Sequence, residues 1–218
     1  MYPDALASPQ SAARAGNELP FVAERLLCAA ALVLLAPVWV TAAAVIAVLS
    51  RESPFVAVLR AGRFGRPLWL LKIRTMWPRD RVGARSFHLV ERVVDEDGPN
   101  RKGRTDTRIT SKFARFCRKF SIDEIPQLFH VIAGEMSLVA PRPLTSSELR
   151  EHYGDAAAEV LSVRPGITGL WQVSGRNSLS YAERRTLDVL LVRTLNARLY
   201  LRILLRTVPV VLRGTNSC

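Results

Sequence analysis

The stretch LLCAAALVLLAPVWVTAAAVIAVL, residues 26–49, carries no charged side chain across its 24 positions. As one helix it would be about 36 Å long, which exceeds the roughly 30 Å hydrocarbon core of a bilayer. The apolar region of a cleaved signal peptide is shorter, at about 7–15 residues, and a buried core helix is disfavoured because the apolar surface is unbroken around the whole helix. The stretch therefore predicts a helix inserted in a membrane.

Pro37 stands in the middle of this stretch. A central proline removes one backbone hydrogen bond and kinks a helix, so two topologies are open: a bent helix that spans the membrane, or a re-entrant helix that turns back at the proline. Six cations follow the stretch closely and favour a cytosolic C-terminal side: Arg51, Arg60, Arg63, Arg66, Lys72 and Arg74. We expect a flexible tail over residues 1–20, a membrane-inserted segment over 21–50 and a cytosolic, membrane-associated domain over 51–218.

The chain is strongly basic. Its 218 residues include 31 Lys and Arg against 19 Asp and Glu, a net charge of +12, and 27 of the cations are Arg. This surplus predicts an anionic partner, which could be a phosphorylated substrate, an acidic membrane surface or a nucleic acid. Nucleic acid is disfavoured because the Arg residues are dispersed beside apolar segments and no motif with interleaved aromatic residues is present. Cys28, Cys117 and Cys218 have no metal or redox spacing, so we expect reduced thiols, with Cys28 packed as a small hydrophobe.

Two further patterns predict local structure. Apolar runs at 55–59 and 68–73 flank a basic turn rich in Gly and Pro, which predicts a small β-hairpin, and the polar residues 77–107 predict a surface excursion with one short helix. Residues 195–213 place three arginines four residues apart on an otherwise apolar helix. This basic stripe predicts a helix lying on an anionic membrane surface, with a core helix bearing a solvated stripe as the alternative.

The segment SIDEIPQLFHVIAGEMSLVAPRP, residues 121–143, predicts the start of a helix. Ser121 and Glu124 have the spacing of a capping box, and Pro126 suits a first helical turn. Asp123 and Glu124 therefore lie at a helix N-terminus, where acidic residues are common because they stabilise the helix dipole.

Three features point beyond helix capping. Adjacent residues on a helix point about 100° apart, so one carboxylate can face a reacting phosphorus while the other holds a metal ion. The helix start and the neighbouring Arg118 and Lys119 are expected to keep Asp123 and Glu124 ionised, which suits a nucleophile and a Mg²⁺ ligand. Two flanking prolines restrict Arg142, and a rigidly presented guanidinium suits the bidentate geometry of a phosphate.

Four blocks stand in order along the chain: AGRFGRPLWLLKIRTM (61–76), TDTRIT (105–110), RKFSIDEIPQLFHVIAGEMSLVAPRP (118–143) and RPGITGLWQVSGRN (164–177). On these blocks the chain resembles, from about Glu24 to Gly214, the bacterial sugar transferases, the monotopic polyprenyl-phosphate phosphoglycosyl transferases that prime exopolysaccharide and O-antigen synthesis. The resemblance implies an α+β, mostly helical fold at the bacterial inner membrane. In that fold a re-entrant helix broken near Pro37, a small β-hairpin and interfacial amphipathic helices surround a catalytic domain that faces the cytosol.

The resemblance also implies a two-step reaction. Asp123 would attack the β-phosphorus of a UDP-sugar, release UMP and form a phosphosugar–aspartyl ester, which polyprenyl phosphate, such as undecaprenyl phosphate, would then attack. Glu124 matches the family's Mg²⁺-coordinating carboxylate and Arg142 its phosphate-binding arginine. Lys72 and Arg118 match basic family positions near the site.

The signature loop VRPGITGLWQVSGRN, residues 163–177, is expected to line the nucleotide or sugar pocket, with Arg176 as the candidate for an anionic contact. The alternative is a structured loop that packs Leu170 and Trp171 into the core. The chain departs from the family pattern at three places: Ala140 replaces the usual Gly, His130 a common Asn, and Leu190-Leu191 a Tyr pair. We expect His130 to pack or hydrogen-bond rather than to act as a base.

Other functions remain open at this point. Asp95 and Asp97 match the Asp-x-Asp pattern of metal-dependent glycosyltransferases, although a solvated acidic loop is the simpler interpretation. A membrane-tethered nucleic-acid-binding protein and an inactive scaffold for polysaccharide assembly are further alternatives. By resemblance the partners are a UDP-sugar, polyprenyl phosphate and inner-membrane lipids, and a homodimer or polysaccharide-assembly partners are further candidates. Glucose and galactose are the first candidates for the sugar, and N-acetylated sugars stay open.

Overall fold

The computed structural model describes residues 21–77, 89–94, 111–175 and 178–214. Asp95, Asp97, Arg176 and the 105–110 block lie outside these residues, so what the sequence suggests for them stays a prediction.

Two helices joined at a sharp break form the N-terminal part of the described chain, α1 (Phe21–Leu34) and α2 (Ala36–Ser50). They are bent by 59°, and Pro37 lies in the first turn of α2, where its missing N–H costs no helical hydrogen bond. The indole N–H of Trp39 donates to the Leu32 carbonyl at 3.3 Å across the break. Among the described helices none alone is long and apolar enough to cross a membrane, whereas this bent pair together meets that length and composition.

The predicted hairpin forms, but it belongs to a larger sheet. Strands β1 (Phe55–Ala61) and β2 (Pro67–Ile73) pair antiparallel around a 3₁₀ turn, and β3 (Val90–Val93) adds to β1 in parallel. The interpretation of residues 77–107 as a plain surface excursion is therefore wrong for β3. Four residues without strong alternation give little local signal, and their strand character depends on pairing with a distant segment.

The segment that carries the acidic pair begins with α3 (Lys112–Lys119), which the Ser111 hydroxyl caps. Ser121 then adopts the left-handed conformation, with φ 55°, and makes no side-chain cap. The capping box predicted at Ser121 and Glu124 is thus wrong. The chain continues as a 3₁₀ helix (Ile122–Gln127) and then as α4 (Leu128–Ala133), which ends at Gly134 with φ 83°.

A second, two-stranded sheet follows. Strands β4 (Ser137–Val139) and β5 (Gly166–Thr168) pair in parallel. Short helical turns lie between the two strands, and further α-helices follow β5. In chain order these are α5 (Ser146–Glu148), a π-helical turn (Leu149–Tyr153), α6 (Ala156–Val160), α7 (Leu170–Ser174), α8 (Tyr181–Thr194) and α9 (Ala197–Leu212). The expected α+β, mostly helical class is confirmed, with more strands than the single hairpin predicted.

One hydrophobic core joins the N-terminal helix to the rest of the chain. It combines Met136, which directly precedes β4, with buried residues of α1, β2, α4, β4, α8 and α9: Cys28, Leu68, Leu70, Val131, Leu138, Val139, Leu191, Tyr200 and Ile203. Cys28 is a buried free thiol within it, as expected. Because α1 contributes to this core, its position is fixed by the same packing that holds β4.

The C-terminal helix α9 has two characters. Tyr200 and Ile203 are buried in the core, so the expectation of core packing holds for one face. The remaining surface exposes a row of apolar side chains at helical spacing (Leu201, Leu205, Val208 and Leu212) beside the exposed arginines Arg198, Arg202 and Arg206. An amphipathic surface of this kind is typical of a helix at a membrane interface.

Candidate active site

Asp123 and Glu124 lie in the first turn of the 3₁₀ helix, where β2 packs against it. Consecutive residues of a 3₁₀ helix point about 120° apart, so the two carboxylates enter different surroundings. Asp123 is only 7% exposed, whereas the side chain of Glu124 is 28% exposed. The predicted division of the pair into two environments is present.

Glu124 lies between two cations from separate parts of the chain. Its Oε1 is 3.2 Å from Lys72 Nζ, on β2, and 3.7 Å from Arg142 Nη2, in the loop after β4. The structure therefore brings together Lys72, Glu124 and Arg142, all three of which the sequence singles out.

The Asp123 carboxylate accepts a hydrogen bond from the Thr75 hydroxyl. Thr75 Oγ1 donates to Asp123 Oδ2 at 3.4 Å and accepts from Arg118 Nη1, also at 3.4 Å. Arg118 thus acts on Asp123 partly through Thr75, which is itself buried. Sequence reasoning missed Thr75, and the available signal was its place in the KIRTM block, three residues after Lys72.

The ionisation of Asp123 is set mainly by burial. Burial and the neighbouring Glu124 raise its pKa to about 6, against the opposing charges of Lys72 and Arg118. With a pKa of about 6, the ionised form still exceeds the protonated form about tenfold at pH 7. Burial also lowers the pKa of Lys72, although the Glu124 carboxylate opposes this.

Lys119 takes no part in this balance, which corrects the expectation that it helps to keep the acids ionised. Its ammonium lies 5.5 Å from the centre of the Phe120 ring, and its methylene chain packs on Gly214, just after α9. The prediction failed because Lys119 follows Arg118 directly, so that helix geometry turns it about 100° away.

The Arg142 loop is pinned to β5 by backbone contacts. The Ala140 N–H donates to the Thr168 carbonyl at 3.0 Å, and the Gly166 N–H donates to the Pro141 carbonyl at 2.7 Å. A Cβ at Gly166 would lie 2.3 Å from the Ala140 nitrogen, so only glycine permits this approach. The PGITG part of the signature loop therefore holds the Arg142 loop, and the buried Ala140 methyl fits beside it.

Other predicted features have structural roles. Trp171 is buried and Leu170 packs against the main core, so the alternative of a core-packing loop is confirmed for these two residues. Of the two leucines that replace the family's Tyr pair, Leu191 is in the core and Leu190 is exposed.

His130 is a hydrogen-bonding residue, as expected. Its Nε2 accepts from the Leu71 N–H at 3.0 Å, and its Nδ1 lies 2.6 Å from the Glu135 carboxylate. These contacts hold the edge strand β2 next to Lys72, and they leave neither ring nitrogen placed as a base at Asp123.

A buried carboxylate thus lies beside an acid that contacts two cations, and cations of this kind can bind phosphate groups. A profile of bacterial sugar transferases matches residues 19–214.

The chain belongs to the bacterial sugar transferase family.

Relatives agree with this placement. This chain is 39% identical over 193 residues to the exopolysaccharide production protein ExoY of Rhizobium meliloti, a match that covers 88% of this chain and 84% of the relative. It is 36% identical over 222 residues to the UDP-glucose:undecaprenyl-phosphate glucose-1-phosphate transferase of Caulobacter vibrioides, which covers 94% of this chain and 76% of the relative. It is also 49% identical over 155 residues to the undecaprenyl-phosphate galactose phosphotransferase of Salmonella typhimurium, with 71% of this chain and 32% of that longer relative covered.

Proposed function

We propose that this protein transfers a sugar 1-phosphate from a UDP-sugar to a polyprenyl phosphate, such as undecaprenyl phosphate, and so begins the synthesis of an exopolysaccharide, O-antigen or capsule repeat unit. The observation that best supports this function is the buried Asp123 next to Glu124, whose carboxylate contacts both Lys72 and Arg142. The names of the Caulobacter and Salmonella relatives support the same class of reaction.

In the first step a carboxylate oxygen of Asp123 attacks the β-phosphorus of the UDP-sugar. The bond between the β-phosphorus and the oxygen bridging to the α-phosphorus breaks, and UMP leaves with the electron pair. The sugar phosphate remains as an ester on Asp123. In the second step an oxygen of the polyprenyl phosphate attacks the same phosphorus and releases the carboxylate, so that no net proton is consumed.

In this proposal the surrounding cations bind the phosphate groups of the substrate or orient Asp123. Lys72 and Arg142, which contact Glu124 in this structure, turn toward the incoming diphosphate, where the forked guanidinium of Arg142 can engage two oxygens. Arg118 acts through the Thr75 hydroxyl to orient Asp123. Arg176 is proposed as a further anionic contact from the signature loop.

The site is compatible with Mg²⁺. The described residues contain no cluster of three or more His, Cys, Asp or Glu side chains that could hold a metal ion by themselves. Mg²⁺ ordinarily takes one or two carboxylates together with substrate phosphates, so Glu124 fits as the protein ligand. The ion would supply neutralisation of phosphate charge during transfer.

We place this chemistry at the cytosolic face of the inner membrane. The α1–α2 pair exposes apolar residues along both helices, among them Val33, Leu34 and Val48, and α9 adds its apolar row beside three arginines. A re-entrant α1–α2 hairpin would keep the site at headgroup level, where the phosphate of a lipid-anchored acceptor lies. The division into a tail (1–20), a membrane-inserted segment (21–50) and a cytosolic domain (51–218) is part of this proposal.

The released nucleotide tests the function. Purified protein with Mg²⁺, polyprenyl phosphate and a panel of UDP-sugars is expected to release UMP with one or a few of the sugars, which also identifies the substrate. Release of UDP instead would favour a glycosyltransferase that uses Asp95 and Asp97. Absence of UMP with every common UDP-sugar would contradict the proposal.

A further inference from the structure

A second buried carboxylate lies apart from Asp123. Glu24, in the first turn of α1, is 1% exposed. Its Oε1 accepts hydrogen bonds from the Ser137 hydroxyl and the Leu138 backbone N–H, both at 2.6 Å, and from the Tyr200 hydroxyl at 2.5 Å. Its Oε2 lies 3.8 Å from Arg164 Nη2. Three donors and one cation thus meet on a single acid.

These partners come from the elements that support the phosphate-binding loop. Ser137 and Leu138 belong to β4, which runs directly into the Arg142 loop, and Arg164 stands two residues before β5. The backbone of β5 in turn holds the loop, since the Gly166 N–H donates to the Pro141 carbonyl at 2.7 Å. Glu24 is therefore hydrogen-bonded to β4, which leads to Arg142, and lies beside Arg164, which leads into β5.

The β4–β5 sheet needs such an attachment. It has two strands of three residues each, and an isolated two-stranded sheet is marginally stable at best. A buried carboxylate is tolerated only when hydrogen bonds and opposite charge compensate for its lost hydration. The hydrogen bonds that compensate the Glu24 carboxylate therefore fix β4 against α1. If either element shifted, this buried carboxylate would lose its hydrogen-bond donors.

We propose that Glu24 is a positioning residue for Arg142, which locks α1 to the β4–β5 sheet so that the phosphate-binding arginine is in place only when the N-terminal helix is docked. The inference rests on the proposed role of Arg142 in phosphate binding. It makes catalysis depend on the N-terminal segment through a defined contact, in addition to any attachment to the membrane.

A double-mutant cycle tests this coupling. Glu24→Gln keeps the size and one acceptor oxygen but loses the charge and turns an amide N–H₂ group toward Arg164. Arg142→Lys keeps the charge but loses the guanidinium fork. We measure UMP release by the full-length protein, in detergent or nanodiscs, for each variant and for the double variant.

If Glu24 acts through Arg142, each single change lowers the rate about ten- to a hundredfold, and the double variant is no slower than Arg142→Lys alone within about threefold. If the two losses instead multiply, Glu24 has only a structural role and the inference is wrong. A control, Glu159→Gln, makes the same chemical change in the exposed pair with Arg193 and is expected to stay within about twofold of the wild type.

A milder variant covers the case in which Glu24→Gln does not fold. Tyr200→Phe removes one of the three donors and is expected to lower the rate by less than fivefold. The double variant with Arg142→Lys should be no slower than Arg142→Lys alone, and rate losses that multiply would overturn the inference.

The wild-type protein separates the two proposals. If the wild type releases no UMP, the proposed function fails. If it releases UMP but the rate losses of the two single variants multiply in the double variant, the proposed function stands and only the role of Glu24 is wrong.

Discussion

Asp123 and Glu24 are both buried carboxylates, but the protein surrounds them differently. Glu24 receives three short hydrogen bonds and lies near a guanidinium. Asp123 receives a single long side-chain hydrogen bond, from Thr75 at 3.4 Å among the described residues, and burial raises its pKa to about 6. A carboxylate with three hydrogen bonds on one oxygen and a guanidinium near the other suits a structural role, whereas a buried carboxylate with one long side-chain hydrogen bond keeps an oxygen available for reaction.

The largest expected effect comes from removing the carboxylate proposed as the nucleophile. Asp123→Asn keeps the shape but has no nucleophilic oxygen, so UMP release and transfer to polyprenyl phosphate should both fall by at least about 10³-fold. The variant should also be more stable than the wild type near pH 7, by at most about 3 kcal/mol. The reason is that folding raises the pKa of Asp123 to about 6, so the wild-type protein loses stability as the pH rises through that value.

A thermal-unfolding scan and a turnover assay on the same preparation measure both effects. Full turnover by Asp123→Asn would refute the assignment of the nucleophile and with it the contrast between the two acids.

The second effect concerns the acid beside Asp123. Glu124→Gln leaves Lys72 and Arg142 without their shared anion and weakens the proposed Mg²⁺ site, so the rate should fall about ten- to a hundredfold and the Mg²⁺ concentration for half-maximal rate should rise. Mn²⁺ binding followed by electron paramagnetic resonance gives a readout independent of turnover. An unchanged Mg²⁺ titration would count against the metal role.

The third and fourth predictions remove one hydroxyl donor from each buried acid. At Asp123, Thr75→Val takes away a hydrogen bond that favours the ionised carboxylate. The rate of wild-type protein should fall as pH drops through about 6, and in Thr75→Val this fall should begin about half to one pH unit higher. A pH–rate profile from pH 5 to 8 measures the shift, and superimposable profiles would show that Thr75 does not act on Asp123.

At the structural acid, the matched change is Tyr200→Phe. It should cost about 1–2 kcal/mol of stability, because one donor to a buried charge is lost, and reduce the rate less than fivefold without moving the pH profile. Denaturant unfolding measures the cost. A shift of the profile like that of Thr75→Val would mean that the two acids are not distinct in kind.

The sequence predicted the cluster around Asp123 better than the contacts of Glu24. Asp123, Glu124 and Arg142 carry a local signature of adjacent carboxylates and flanking prolines, and the structure brings them together with Lys72 and Arg118. Nothing local marks Glu24, since its partners are 113 to 176 residues away and its importance arises only when α1, β4 and α9 pack together. A polar residue in the first turn of an apolar helix looks like an ordinary helix start.

The same reason explains the errors in the fold. The break at Pro37 and the hairpin follow from local backbone chemistry and were predicted. The left-handed Ser121 and the strand β3 depend on tertiary contacts: packing of the 3₁₀ turn against β2 in one case, and pairing with β1 in the other. Capping-box spacing and polarity suggested other structures at these two places, and tertiary packing outweighed them.

The most direct test is the mass of the intact protein after incubation with its UDP-sugar and Mg²⁺ in the absence of polyprenyl phosphate. We expect a fraction of the protein to gain the mass of one sugar phosphate, to carry it on the peptide containing Asp123, and to lose it when polyprenyl phosphate is added. Unmodified protein under conditions that release UMP, or a sugar phosphate on another residue, would contradict a covalent intermediate on this buried acid.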